Sequence, residues 1–452
     1  MIAIGCSTTE PPVEPAWPHP QLPEEDQRVG GDPARGYDYL VNGGYITCGI
    51  PKTVFDSVQA PTDPGIPGRT GDNAMLPFNY STATSAEGVR VVSANCLSCH
   101  AGRINGEIVV GLGAADGDFT ADQSGFVGLA GNIAMSPIER VAYDRFAERI
   151  RAIAPYTQTK TVGVNPADNL TAALMSHRDP QTLGWSPTPQ IPLPPAIVVP
   201  VDVPPWWRMA KKTSMFYSAG GRGDHARIMM TASLLCSESV EEARAIDAAF
   251  VDVRAWITTM PVPKWPFPVD AALAETGKPI FQATCSRCHG TYGEDGYYPN
   301  LIVPLDEVGT DPTLASGASQ FSERFVEWFA NSFWGETSRL EPQEGYVPPP
   351  LDGIWATAPF FHNGSVPTLE GVLDSKKRTG AWTRTFDSTK YDQAAVGWKI
   401  TPTGLQSQEP NAAKRTKIYD TTLLGYGNQG HTYGDDLTAE ERTAVLEYLK
   451  TL

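Results

Sequence analysis

The pentapeptide Cys-x-x-Cys-His occurs twice in this chain, in "NCLSCHAG" from Asn95 to Gly102 and in "TCSRCHGT" from Thr284 to Thr291. Nothing else in the sequence limits its fold so strongly. Two thiols and an imidazole this close commit each stretch to one of three chemistries: a zinc site, thiol redox exchange, or covalent attachment of haem.

The spacing favours haem. Cys-x-x-Cys-His is the attachment signature of c-type haem. The two thiols add across the vinyl groups as thioethers, and the adjacent histidine binds the iron as proximal ligand. Zinc needs four ligands, and neither motif has an obvious fourth nearby. Thiol redox chemistry does not need a histidine directly after the second cysteine. The cofactor expectation is therefore two covalently bound c-type haems, on Cys96, Cys99 and His100, and on Cys285, Cys288 and His289.

Of the seven cysteines, Cys6, Cys48 and Cys236 lie outside these motifs. Cys48 and Cys236 are either a disulfide, as an oxidising compartment permits, or two separately buried thiols. Cys6 follows "AIG" and precedes "STTEPP", like the end of a bacterial lipoprotein signal, although Ala3 stands where a larger aliphatic residue is usual. The expectation is a periplasmic or outer-surface protein with a possible membrane tether through lipidated Cys6. The formal net charge of −16 makes nucleic acid a poor partner. It suits a neutral or basic docking protein, because opposite fields steer encounter.

"PVDAALAETGKPIFQATCSRCHG" reads as a helix entering the second motif, with Ala271, Leu273, Ile280 and Phe281 on its apolar side. "LTAEERTAVLEYLKTL" reads as a terminal helix, with Thr438 and Glu441 spaced as a capping box. "GVRVVSANCLSCH" is less helical, and "SPIERVAYDRFAERIRAIA" is a helix with proline in its first turn. The proline-rich stretch from Ser186 to Trp207 should run extended over the surface. The fold expectation is mainly α with much irregular loop, as two cytochrome c-like haem domains packed together. The boundaries read as a tail at 1–35, an N-terminal haem domain at 36–263 and a C-terminal one at 264–452.

The block "PPPLDGIWATAPFFHNGSVPTLEGVLD", Pro348 to Asp374, closely resembles the signature of the bacterial di-haem cytochrome c peroxidase superfamily, which includes the methylamine-utilisation di-haem enzyme and the rubber oxygenases. The "WWRMAKKTSMFYSAGGRGDHAR" insert and the C-terminal "GNQGHTYGDDLTAEERTAVLEYLKTL" are more similar to the rubber-oxygenase-like branch. The resemblance places Thr357, Ala358, Pro359 and His362 near a domain interface and the C-terminal haem. It also implies a calcium ion held partly by carbonyls near Thr357 and Pro359.

Family peroxidases give the C-terminal haem a distal methionine, but the last methionine here is Met260. His362 and His431 remain, and His431 in "NQGHTYG" matches the distal histidine of the oxygenase-like branch. The expectation is a His289/His431 electron-transfer haem. Between His100 and Met135 there is no histidine or methionine, so the first haem is expected to be open and reactive. Met135, His177 and His225 are its distant candidate ligands, and His225 is the one taken as catalytic. Glu139 in "MSPIER" matches the family's distal acid–base glutamate, which would move a proton between the peroxide oxygens. Trp206, Trp207 or Trp256 would replace the family's tryptophan between the haems, and Arg103 and Arg222 are candidate propionate partners. The implied reaction is reduction of peroxide with electrons from a small redox protein. The alternatives are oxygenative cleavage of an unsaturated hydrocarbon with dioxygen, and a di-haem electron carrier without catalysis.

Overall fold

The computed structural model describes residues 19–452, apart from the side chains of 318–322, so Cys6 and its lipidation lie outside the described residues. About 39% of the chain is helical and 12% is strand. The mainly-α expectation is thus corrected to a mixed fold, and its division into two cytochrome c-like haem domains is not shown. The physical reason lies in the segments around the first motif. β-Branched runs such as "RVVSA" and "EIVV" favour pleated, half-buried surfaces. They pair as strands: Ile50–Pro51, Arg90–Ala94 and Tyr80–Thr84 form one three-stranded antiparallel sheet, and Ala101–Ile104 pairs with Glu107–Val110. A second three-stranded sheet and three further two-stranded ribbons are distributed among the loops.

Helices frame both motifs in a similar way. Ahead of the first motif, the Pro33–Asn42 helix starts at Asp32, whose carboxylate accepts from the Ala34 and Arg35 amides. It crosses the long Val240–Thr259 helix at Gly36, where an added Cβ would stand 2.0 Å from the Asp252 carbonyl oxygen. Ahead of the second motif, the Ala271–Thr284 helix crosses the terminal Ala439–Leu449 helix at Gly277, where a Cβ would stand 2.0 Å from the Ala444 carbonyl oxygen. In both places only glycine lets the backbones approach so closely. The terminal helix begins with the expected capping box, Thr438 to Glu441. On the entering helix Phe281 is buried, together with Ala274 and Gly277. Burial of a phenylalanine side chain contributes about 1.5–3 kcal/mol.

The largest apolar core joins Leu40, Val41, Val92, Leu97, Phe146, Phe250 and Val253. Phe325, Trp328, Phe329 and Trp334 belong to the same core, so the Thr313–Ala330 helix and the turn after it pack against residues far earlier in the chain. A second core gathers Phe281, Trp355, Val366, Val445 and Leu449. Cys48 and Cys236 form a disulfide with Cα atoms 5.2 Å apart, which fastens the first core. From Thr188 to Pro205 the proline-rich stretch is irregular, with several bends and one bridge from Val201 to Asn165, before Trp206 and Trp207 turn inward and are buried. Among the described residues, no helix is long and apolar enough to cross a membrane.

Candidate functional site

The second motif is placed by the helix that enters it. The Cys285 amide donates to the Phe281 carbonyl at 2.8 Å, and Ser286–His289 adds one further turn. The His289 amide donates to the Cys285 carbonyl at 3.1 Å, so both thiols and the imidazole share one compact turn. His289 Nδ1 lies 2.8 Å from the Pro349 carbonyl oxygen. A carbonyl only accepts, so Nδ1 carries the proton and Nε2 keeps its lone pair, as a metal-binding histidine requires.

His431 stands opposite. Its amide donates to the Val308 carbonyl at 2.7 Å, and its carbonyl accepts from Arg378 at 3.0 Å. The His289 and His431 ring centres are 6.2 Å apart, with an interplanar angle of 61°. An imidazole nitrogen bonds a first-row metal ion at about 2.0 Å and lies about 1.2 Å from its ring centre, so two rings on opposite sides of one ion have centres about 6.4 Å apart. The pair therefore fits a single haem iron between the two rings. Burial lowers His289 to about 4 and His431 to about 3, which keeps both in the neutral form that binds metal.

The first motif is built differently. The Arg90–Ala94 strand leads to Asn95, whose side chain accepts from the Leu97 amide at 2.9 Å and donates to the Phe78 carbonyl at 3.0 Å. One turn, Leu97–His100, then passes into the Ala101–Val110 hairpin. The Asn165 amide approaches Cys99 Sγ at 2.9 Å. The His100 ring stacks on Trp206 with centres 4.5 Å apart at 20°, and its Nδ1 is buried without a hydrogen-bond partner. Among the described residues no second histidine ring is paired with His100, in contrast to the arrangement at His289. The four motif cysteines lie outside the Cys48–Cys236 disulfide, and burial raises Cys96 to about 11 and Cys285 to about 12. Among the described residues no three His, Cys, Asp or Glu side chains gather as a metal cluster.

The remaining candidates are scattered. Glu139 caps the Pro137–Ile153 helix: one carboxylate oxygen accepts from the Ser136 amide at 2.9 Å and hydroxyl at 2.6 Å, and the other from the Thr53 hydroxyl at 2.6 Å. Ser136 and Thr53 hold its carboxyl below the usual range. His225 is 1% exposed, and neither ring nitrogen has a partner. His362 is buried and stacks on Tyr346 at 4.1 Å, with Nε2 3.2 Å from the Tyr346 hydroxyl. Its carbonyl accepts from the Asp202 amide at 2.7 Å. His177 stacks on Trp185, with Nδ1 2.8 Å from the Ser186 carbonyl oxygen, and Met135 packs against the first core. Arg222 is spent on Glu25, and Arg103 is exposed. The Thr357 hydroxyl bonds the Ile354 carbonyl, and the Ala358 carbonyl accepts from Trp398, so these atoms have protein partners.

Three features escaped the sequence reading. Trp206 and Trp207 were two of three interchangeable tryptophans; here Trp206 lies on His100, and Trp207 Nε1 donates to the Asp352 carbonyl at 2.8 Å, three residues from the Pro349 carbonyl that orients His289. Arg208 follows directly, and Lys212 lies just past the end of the Trp206–Ala210 turn. Asp202 and Tyr217, both partly buried, form a hydrogen-bonded pair. Only the dipeptide "WW" had a signal in the sequence.

The uncharacterized protein y4iM of Sinorhizobium fredii (strain NBRC 101917 / NGR234) is 28% identical over 239 residues, covering 44% of this chain and 53% of its own length. The uncharacterized protein y4iJ of the same strain is 24% identical over 257 residues, covering 42% of this chain and 41% of its own length. The matched stretch thus spans about half the length of these curated relatives. Residues 345–383 match the RoxA-like, cytochrome c-like family. That block contains Pro349, which orients His289, and His362. It relates the chain to the cytochrome c family, whose domains carry covalently bound c-type haem.

Proposed function

We propose that this chain is a two-haem c-type redox enzyme that reduces peroxide with electrons from a small redox protein. The observation that carries the reading is the His289/His431 pair, whose spacing fits one iron with protein ligands on both sides. A haem held there supplies reversible one-electron chemistry, and a haem at the first motif supplies a Lewis-acidic iron. Cys285, Cys288, His289 and His431 hold the electron-transfer haem, with Pro349 fixing the His289 tautomer. Two histidine ligands favour a lower potential than a histidine–methionine pair. Cys96, Cys99 and His100 hold the reactive haem, and Trp206 fixes the plane of the His100 ring. Trp206 and Trp207 provide a short path between the sites. Asp202, raised to about 8 by burial and bonded by the Tyr217 hydroxyl at 3.1 Å, keeps a proton at neutral pH close to the Asn165–Cys99 contact. The Cys48–Cys236 disulfide supports a periplasmic or outer-surface location. The acidic surface supports a neutral or basic redox partner.

A second reading, dioxygen-dependent cleavage of an unsaturated hydrocarbon, is favoured by exposed Phe126, Leu129, Ile138 and Val141 on two adjoining helices. Apolar side chains grouped on a surface mark a place for apolar partners. The test is turnover by the purified holoprotein. Peroxide consumption driven by a reduced small redox protein supports the first reading. Oxygen uptake with a polyunsaturated hydrocarbon and no peroxide activity supports the second. Neither reaction would leave an electron carrier.

A further inference from the structure

The segment after Trp207 concentrates hydrogen-bond donors without matching acceptors. Arg208 is 6% exposed and forms no ion pair among the described residues; its hydrogen bonds there go to the Asp352 carbonyl at 3.3 Å and the Thr357 hydroxyl at 3.4 Å. Lys212 is half-buried and, among the described residues, reaches only the Phe216 carbonyl, at 3.4 Å. The Thr213 and Ser214 hydroxyls, Arg254 Nε and both nitrogens of His225 are buried with no partner among the described residues, as is one acceptor, Asp352 Oδ2. His225 lies in the fields of Lys212 and Arg254, with the Thr213 backbone beside its ring. Four carboxylates adjoin the group, and three of them have a cation of their own: Asp352 is bonded by Lys211 at 2.8 Å, Asp224 by Arg28, and Glu25 by Arg222 and Arg339 at 2.8 Å, while burial raises Asp202 to about 8. The group is therefore a net cationic enclosure. Buried charges normally come paired, so such a set calls for an anion.

Its position says which anion. The Thr213 amide donates to the Asn300 side chain at 2.9 Å, and Asn300 donates to the Lys211 carbonyl at 3.0 Å. Lys211 lies 5.0 Å over the Tyr292 ring, and the Tyr292 hydroxyl donates to the His289 carbonyl at 2.8 Å. The donor-rich segment is thus fastened along the edge of the second motif. We propose that Arg208 and Lys212, completed by the Thr213 and Ser214 hydroxyls and His225, form the cradle for the carboxylate side arms of the haem attached at Cys285 and Cys288. This rests on the two-haem reading above, and it moves His225 from reaction chemistry to anion binding.

The experiment uses holoprotein and follows the low-spin haem by spectroelectrochemistry and resonance Raman. A nearby cation favours the reduced haem, since reduction adds negative charge. Lys212→Met and Arg208→Gln should each shift the reduced-to-oxidised ratio about tenfold toward oxidised, 59 mV for one electron. Each should also move the carboxylate bending bands. Lys212→Arg, which keeps the cation, should restore both. Lys212 is half-buried with one weak hydrogen bond, so Lys212→Met carries the test if Arg208→Gln fails to accumulate. Inorganic phosphate should leave the wild-type potential unchanged. Wild-type potential and bands in the haem-loaded variants would overturn the cradle, as would a phosphate-dependent shift lost in Lys212→Met, which would show a free-anion site. Wild-type protein without covalent haem would instead overturn the two-haem reading.

Discussion

The Tyr217 hydroxyl donates to the Asp202 carboxyl at 3.1 Å, inside a region that also contains Arg208 and Arg384. Burial outweighs these favourable partners and raises Asp202 to about 8. An unfolded aspartate loses its proton near pH 3.9, by about the model-peptide value. Between those values the folded state binds more protons than the unfolded state, so stability contributed here falls as pH rises. Asp202→Asn cannot titrate. Its unfolding midpoint in urea should gain on the wild type from pH 4 to pH 8, and a difference that does not change with pH would contradict the assignment.

The Cys48–Cys236 disulfide links residues 188 apart in sequence. Cross-links of this kind constrain the unfolded chain, and losing one costs about 2–5 kcal/mol. Cys48→Ala with Cys236→Ala should lower the unfolding free energy measured by urea titration by that amount, and a reductant should do the same to the wild type. Equal midpoints for oxidised, reduced and double-variant protein would show that the link contributes nothing.

Glu139 makes contacts that belong to a helix cap. Glu139→Ala should destabilise the protein by about 0.5–2 kcal/mol, the usual range for a lost cap. Peroxide turnover measured well below the melting temperature should stay at the wild-type level. A hundredfold loss of turnover without a change in melting would return the acid–base role to this residue.

How much was legible follows the range of each interaction. The two Cys-x-x-Cys-His turns were readable because each lies within five residues. His431 was reached by elimination and by resemblance, since no methionine follows Met260 and few histidines remain there. The Thr438–Glu441 cap and the helix entering Cys285 are local patterns, and both formed as read. The same local pattern exists at Ser136–Glu139, yet there a resemblance outweighed the plainer capping signal. The strand pairings were missed because short β-branched runs between glycines and prolines give little periodicity. Arg208, Lys212 and Asp202 carried no signal at all: their chemistry comes from burial beside residues over a hundred positions away, such as Asp352 and His362.

The His289/His431 pair is the centre of the account, and the spin state of the haems in His431→Ala tests it most directly. By low-temperature electron paramagnetic resonance of the oxidised holoprotein, the account predicts a low-spin signal in the wild type that is lost in the variant. A high-spin signal of equal integrated intensity should replace it, with both haems still attached on a denaturing gel. An unchanged low-spin signal in His431→Ala would show that this iron takes its second ligand elsewhere.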